Sequence, residues 1–390
     1  MFRIQTLNNI SVRGLERLPR ELYEAASEIG HPDAVLLRSA DMHGMALPAS
    51  VLAVARAGAG TNNIPVAELT RRGIPVFNAP GANANAVKEL VIAALFLAAR
   101  NICQAWGFVQ GLSGDADAVE AAVEAGKKRF AGYELPGRTL GVIGLGAVGV
   151  EVANAAHALG MRVLGYDPQI TVRRAWQLSS GVEQALSVDD LFARSDLVTL
   201  HVPLVDSTTG LVNAARIRLM KKGAAVLNFA RAGIVAEGDL LAALDSGQLS
   251  AYVCDFPTPA AKGHPRVVAL PHLGASTGEA EENCAVMVVE TLRDFLENGN
   301  LRNSVNFPEA VLPRIPGTYR LAIANANVPN MVGQISTALA GAGLNIADLL
   351  NKSRGEVAYT IIDTDAPIPA ASVAQVRAIH GVLAARDLAA

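Results

Sequence analysis

Residues 138–149 read RTLGVIGLGAVG. A short apolar run ends at Ile143, glycines follow at 144, 146 and 149, and an alanine- and valine-rich stretch, AVGVEVANAAHALG, comes next. The spacing predicts strand, tight turn and helix, in that order. Each glycine has its own reason. Gly144 permits the tight turn, Gly146 lets a ligand approach the backbone, and Gly149 lets the helix pack closely on the strand. Alone the pattern is weak, because a glycine-rich chain produces it by chance. Here a second apolar run, RVLGYD at 162–167, ends in an acid, Asp167, about 20 residues on, where a ribose-binding carboxylate is expected.

Outward from this stretch the alternation continues. Residues 196–203, 224–230, 251–256 and 267–272 are further apolar runs, most of them separated by helical segments. Together they predict six parallel strands in a doubly wound sheet. Before it, residues 34–40, 50–58 and 73–81 read as buried strands with turns, after a first strand at the N-terminus. Residues 83–111 read as one long helix. Residues 279–298 read as another, amphipathic one. Residues 306–318 hold three prolines and a glycine and read as a linker. Beyond them the pattern becomes strand, helix, strand, strand, helix, with room for a last strand.

Composition bounds the rest. The 390 residues exceed one hydrophobic core, so two or three domains are expected. A net charge of −3 with 18% charged residues carries no basic footprint for nucleic acid. The longest apolar run, LVIAALFLAA, is too short for a membrane span and reads as a buried helix. The N-terminus has no signal-peptide pattern. Three scattered cysteines fit neither a disulfide framework nor a zinc site. The expectation is a cytoplasmic protein with no metal, no membrane partner and no nucleic-acid partner.

The helix N-terminus after Gly146 offers free N–H groups to a pyrophosphate, and Asp167 would repel a 2′-phosphate, so the bound dinucleotide is expected to be NAD rather than NADP. Two residues stand just beyond strand ends, where open α/β sheets bind ligands: Arg231 and His272. A guanidinium there can grip a carboxylate, and an imidazole can exchange a proton near neutral pH. The other histidines at 31, 43, 157, 264 and 380 read as surface or satisfied core residues.

Six stretches, RAGAGTNNI, NAPGANANAVKEL, GRTLGVIGLGAVG, HVPLVDSTTGLVN, NFARAGIVAEGDL and PHLGAST, fall in the order and spacing of one family. The chain resembles the D-isomer-specific 2-hydroxyacid dehydrogenases over nearly its whole length. The resemblance implies a Rossmann-type doubly wound domain (99–285) inserted into a split, flavodoxin-like substrate domain (1–98 and 286–312). A βαββαβ tail (318–390) resembles an ACT module. The family resemblance implies oxidation of D-3-phosphoglycerate to 3-phosphohydroxypyruvate by hydride transfer to NAD, at the start of serine biosynthesis. Arg231 would bind and polarise the substrate, and His272 would be the general acid/base. Arg38, Arg56, Ala57, Gly58 and Asn83 would contact the substrate, with the 56–60 loop a possible anion nest. Gly144, Gly146, Ala147, Val148, Gly149, Asp167, His201, Val202, Pro203, Thr208, Phe229, Ala230, Asp255 and Gly274 would contact NAD, Asp255 through the carboxamide. In the tail, Asn325, Asn327 and Asn345 fall where related modules hold L-serine. A homodimer or homotetramer is implied. Another D-2-hydroxy acid as substrate, or a non-catalytic NAD sensor, are the alternatives.

Three positions depart from the family. Its Asp-Val-Phe-x-x-Glu-Pro loop, whose Glu pairs with the catalytic His, reads CDFPTPAAKGHP here, so the partner of His272 is open. Lys88 replaces a small residue and reads as a solvated helix position. The Pro-Gly of the tail's first turn is Pro329-Asn330, and Asn tolerates the positive φ such a turn needs.

Overall fold

The computed structural model describes residues 1–388 and divides into two compact units, Met1–Asn83 with the described part of Gly278–Ala390, and Ala84–Thr277. The sequence placed the changeovers at 98/99 and 285/286. In the structure the units change over at the starts of the helices Ala84–Arg100 and Gly278–Asn298.

The first unit opens with strands β1 (Phe2–Leu7), β2 (Tyr23–Ala26), β3 (Ala34–Leu37), β4 (Ala53–Arg56) and β5 (Val76–Phe77). They form a parallel sheet in the order β2-β1-β3-β4-β5, the flavodoxin-like arrangement. β3 is buried along its whole length, as a run of Ala, Val and Leu covered on both faces should be. The helix Gly278–Asn298 lays Ala285, Val288, Val289, Leu292, Phe295 and Leu296 into the same core as Ile4 and Phe77. That spacing is one face of a helix.

The second unit holds β6 (Thr139–Ile143), β7 (Arg162–Tyr166), β8 (Val182–Gln184), β9 (Leu197–Leu200), β10 (Ala224–Asn228), β11 (Leu249–Cys254) and β12 (Val267–Ala269). All are parallel, in the order β12-β11-β10-β9-β6-β7-β8. This is the Rossmann order extended by one strand. β8 is the strand that the sequence did not announce. The long helix expected over 83–111 is broken: Ala84–Arg100 and Ile102–Gln110 are separated by Asn101 in the left-handed region, φ 49°.

The tail belongs to the first unit. It consists of β13 (Tyr319–Ala326), the helix Met331–Gly341, β14 (Ile346–Arg354), β15 (Val357–Thr364), the helix Ala370–Arg377 and β16 (Val382–Leu388). Its antiparallel sheet runs β14-β15-β13-β16, completing βαββαβ. Asn330 takes φ 64° before the first tail helix, so the turn survives the loss of glycine. Along β13 the side chains alternate between two cores. Leu321 and Ile323 pack with the tail's helices, whereas Ala322 and Ala324, with Tyr359 and Ile361, join Phe77, Phe295 and Phe307. The stretch expected as a linker is a packed strap, with Phe307 and Ala310 buried and Leu301 bridged to Ala310.

Candidate active site

In the second unit every strand of the sheet runs the same way, so all its carboxyl ends lie along one edge. The expected cofactor and catalytic residues follow strand ends on that edge. The glycine loop follows β6, Asp167 follows β7, and His201 follows β9. Arg231, Asp255 and His272 come just beyond β10, β11 and β12. The strand order reverses between β6 and β9, the crevice where such sheets bind ligands.

The three glycines meet different demands. Gly144 has φ +92°, and a Cβ on it would lie 2.6 Å from the His201 carbonyl oxygen. A Cβ on Gly149 would sit 1.8 Å from the Gly144 carbonyl oxygen, so the helix can approach the turn only with glycine there. A Cβ on Gly146 would meet nothing within 4 Å. Gly146 caps the helix Ala147–Ala158 without a side-chain bond, which leaves the amides of Ala147, Val148 and Gly149 as first-turn donors. Asp167 anchors the loop from the side: its carboxylate accepts the amides of Leu145 and Gln169, each at 2.9 Å. Beside it lies a cavity of about 440 Å³ lined by Tyr166, Pro168, Ile170, Leu178 and Ala185. Open space above Gly146, unpaired helix amides and an apolar pocket flanked by a carboxylate fit a dinucleotide.

His201 takes no charge here. Burial pushes its pKa down to about 3, and its Nε2 lies 3.0 Å from the Thr199 hydroxyl. Val202 and Pro203 lead into a loop tied by Thr208, whose hydroxyl accepts the Val205 amide at 2.9 Å and donates to the Pro203 carbonyl at 2.6 Å.

Arg231 is exposed, and its Nη1 donates to the Ala230 carbonyl at 2.6 Å. Its loop is held from below by Asn228, a fully buried side chain that the sequence reading missed. Asn228 donates to the Arg231 carbonyl at 2.9 Å and accepts the Ala230 amide at 3.2 Å. An amide ending an otherwise apolar strand was the available signal. Phe229 is buried beside it.

Asp255 is buried, and its two oxygens accept the amides of Leu273 and Gly274, each at 2.7 Å. The carboxylate therefore shapes the turn that carries His272. His272 itself is exposed and left-handed, φ 57°, a region where Asn, Asp and His are the enriched non-glycine residues. Its ring lies 5.0 Å from that of Phe256. Within its unit the ring has no hydrogen-bond partner among the described residues. In the loop where the family carries Glu, Thr258 donates to the Glu237 carboxylate, which lines a cavity together with Phe256. Lys88, expected as solvated, has a side chain only 21% exposed, 3.9 Å from Glu89.

In the first unit, Arg38 follows β3 and is ion-paired with Glu281 at 2.5 Å. Arg56 ends β4, and its guanidinium braces the following loop through the Arg38 carbonyl, at 2.8 Å, and the Gly60 carbonyl. The amides of Ala57 and Gly58 donate to Leu37 and Arg56 carbonyls, at 2.7 and 2.8 Å. Both amides are therefore already bonded within the protein. Asn83 is half-buried. In the tail, Asn325 is held by protein groups. It is buried, accepts the Thr360 hydroxyl at 3.1 Å and donates to the Ala326 carbonyl at 2.8 Å. Asn327 and Asn345 are exposed, the former donating to the Gly355 carbonyl at 2.9 Å.

This fold, with a glycine turn and an Arg and a His beyond one strand edge, defines an NAD-binding dehydrogenase of the doubly wound class. The NAD-binding domain of the D-isomer-specific 2-hydroxyacid dehydrogenases matches residues 92–274. D-3-phosphoglycerate dehydrogenase of Haemophilus influenzae is 33% identical over 343 residues, 84% of this chain and 79% of that protein. The Methanocaldococcus jannaschii protein of that name is 40% identical over 261 residues, 65% of this chain and 47% of its own length. Several other relatives of that name are likewise matched over about half their length. The chain belongs to the D-isomer-specific 2-hydroxyacid dehydrogenase family. Among solved structures, a glyoxylate reductase from Paecilomyes thermophila is 27% identical with a TM-score of 0.63, covering 78% of this chain and 98% of that one. The NAD-bound 3-phosphoglycerate dehydrogenase of Entamoeba histolytica shares the fold, at 24% identity and a TM-score of 0.59 over the same shares of the two chains.

Proposed function

We propose that this chain oxidises D-3-phosphoglycerate at C2, with NAD as hydride acceptor, in the first step of serine biosynthesis. The observation that carries the reading is the pair Arg231 and His272. Both are exposed, and they lie beyond the ends of β10 and β12, which flank β11, on the edge that carries the glycine turn. Bound NAD supplies the hydride acceptor. Arg231 holds the substrate carboxylate and stabilises negative charge on the C2 oxygen. His272 takes the C2 hydroxyl proton on a ring nitrogen. Asp255 sets the imidazole's position through the backbone it clamps. The identity of the substrate rests on relatives that carry the phosphoglycerate dehydrogenase name. Arg38 and the 56–60 loop are assigned to the substrate's anionic groups. A cytoplasmic homo-oligomer belongs to the same reading, and three free cysteines fit a reducing compartment.

The test is steady-state reduction of NAD by D-3-phosphoglycerate, with D-glycerate and D-lactate in parallel. Turnover with the phosphorylated acid alone is expected, and His272→Ala should abolish it while NADH still binds. Turnover only with an unphosphorylated acid would overturn the substrate assignment. Loss of NADH binding in His272→Ala would overturn the role given to the imidazole.

A further inference from the structure

The first unit carries an open cavity of about 480 Å³ between loops of the parallel sheet and strand β16 of the tail. That size falls in the range of roughly 300–1,000 Å³ usual for small-molecule sites. None of its lining residues is among those assigned above to NAD or substrate. Val51, Ile74 and Phe295 give it an apolar wall, and three arginines line it: Arg72, Arg377 and Arg386.

All three arginines are held by neutral groups. Arg386 lies 4.5 Å over the Phe295 ring and donates to the carbonyls of Phe295 and, at 3.3 Å, Leu296. Arg377 donates twice to the Ala385 carbonyl, at 3.0 and 2.7 Å. Arg72 donates to the carbonyls of Leu47 and Pro48, at 3.3 and 3.2 Å. None of the three forms an ion pair with a carboxylate among the described residues. The acidic groups whose fields reach Arg386 are Tyr359, Asp33 and Tyr23, and burial pulls its pKa below the usual arginine value.

Carbonyls satisfy the N–H groups but do not compensate the charge. Three like charges around one partly apolar space repel each other, and half-buried Arg386 also loses hydration. An anion reverses both costs, and guanidinium forks match carboxylate and phosphate oxygens. We propose that this cavity is a binding site for a small organic anion, a carboxylate or phosphate on a short apolar body. The site is built from both ends of the chain. Arg72 comes from the first 83 residues, and Arg377 and Arg386 from the tail. Gly73 brings the two pieces together, since a Cβ on it would lie 2.9 Å from that of Ala384. An occupant therefore ties the tail to the first sheet.

The test is thermal unfolding of the full chain with succinate and with inorganic phosphate, against chloride at matched ionic strength, because a ligand of the folded state raises the midpoint. A saturable rise is expected with succinate, with phosphate or with both, and the pattern identifies the acidic group. Arg377→Gln and Arg72→Gln should each weaken the apparent affinity about ten-fold, the loss of one charge-assisted contact. Both should leave the unliganded midpoint and NAD-linked turnover near wild type. Arg231→Gln, in the other unit, should leave the rise intact, which separates this site from the proposed catalytic one. Arg386→Gln also releases the 295–296 carbonyls. If that variant fails to fold, exposed Arg377 still decides. No saturable rise with either anion, a rise that survives both Arg377→Gln and Arg72→Gln, or a rise abolished by Arg231→Gln overturns the proposal.

Discussion

His201 is a histidine kept neutral by its surroundings, and that has a pH consequence. In the unfolded chain its ring binds a proton near pH 6.5, whereas burial holds the folded value at about 3. Between these values the unfolded state binds more protons, so stability rises with pH across the window and falls as pH drops through 6.5. Above about pH 7 the group adds no pH dependence. From pH 7 to pH 5 it should cost the protein about 2 kcal/mol. Urea unfolding across that range should show a shallower slope in His201→Gln than in wild type, and equal slopes would refute the argument. The placing of candidate residues beyond strand ends was legible at this scale only where chemistry fixes residue type. Arg231, His272 and Asp167 could be read from position after apolar runs. The role of Asn228 could not, because it is a set of backbone contacts made two and three residues downstream. Nor could Thr258 and Glu237, which meet across 21 residues of sequence.

At the scale of elements, the glycine turn separates two kinds of necessity. Gly149 is required by packing, since its Cβ would occupy the Gly144 carbonyl's place. Gly149→Ala should destabilise the second unit by about 1–3 kcal/mol or more, as overpacked sites do. Gly146 has room for a methyl group and an ordinary φ of −74°. Gly146→Ala should fold like wild type yet bind NADH at least about ten-fold more weakly, because the methyl intrudes on the pyrophosphate's approach. Comparing melting midpoints with NADH fluorescence titrations checks both variants. A Gly146→Ala protein with wild-type affinity would remove the loop from the cofactor site. The long buried strands were legible because near-continuous apolar runs have few other uses. β2 and β8, YEAA and VEQ, were not, being short, partly polar edge strands that carry little periodic signal. The break at Asn101 escaped because helical periodicity continues on both sides of it, and a single left-handed residue redirects the chain.

At the scale of the molecule, the prolines of 306–318 read as a linker, and the packing shows a strap instead. β13 reads YRLAIANA, and both of its faces are apolar, the mark of a sheet covered twice. The second cover is the N-terminal half of the unit. At the join stands Arg320, fully buried, bonded to Asp363 at 2.6 and 2.7 Å and to the carbonyls of Asn298, Leu312 and Pro313 at 2.9, 2.9 and 3.2 Å. Removing one member of such a pair strands the other charge, at a cost of about 3–5 kcal/mol. Arg320→Met should lose that much in urea unfolding, and adding Asp363→Leu should recover a good part of it. Because the strap and β13 share this clamp, the loss should not stay in the tail. Hydrogen exchange in Arg320→Met should quicken for amides of β4 and β5 together with those of β13 and β15. Faster exchange confined to the tail would mean that its sheet unfolds alone and that the shared core does not couple the two ends of the chain.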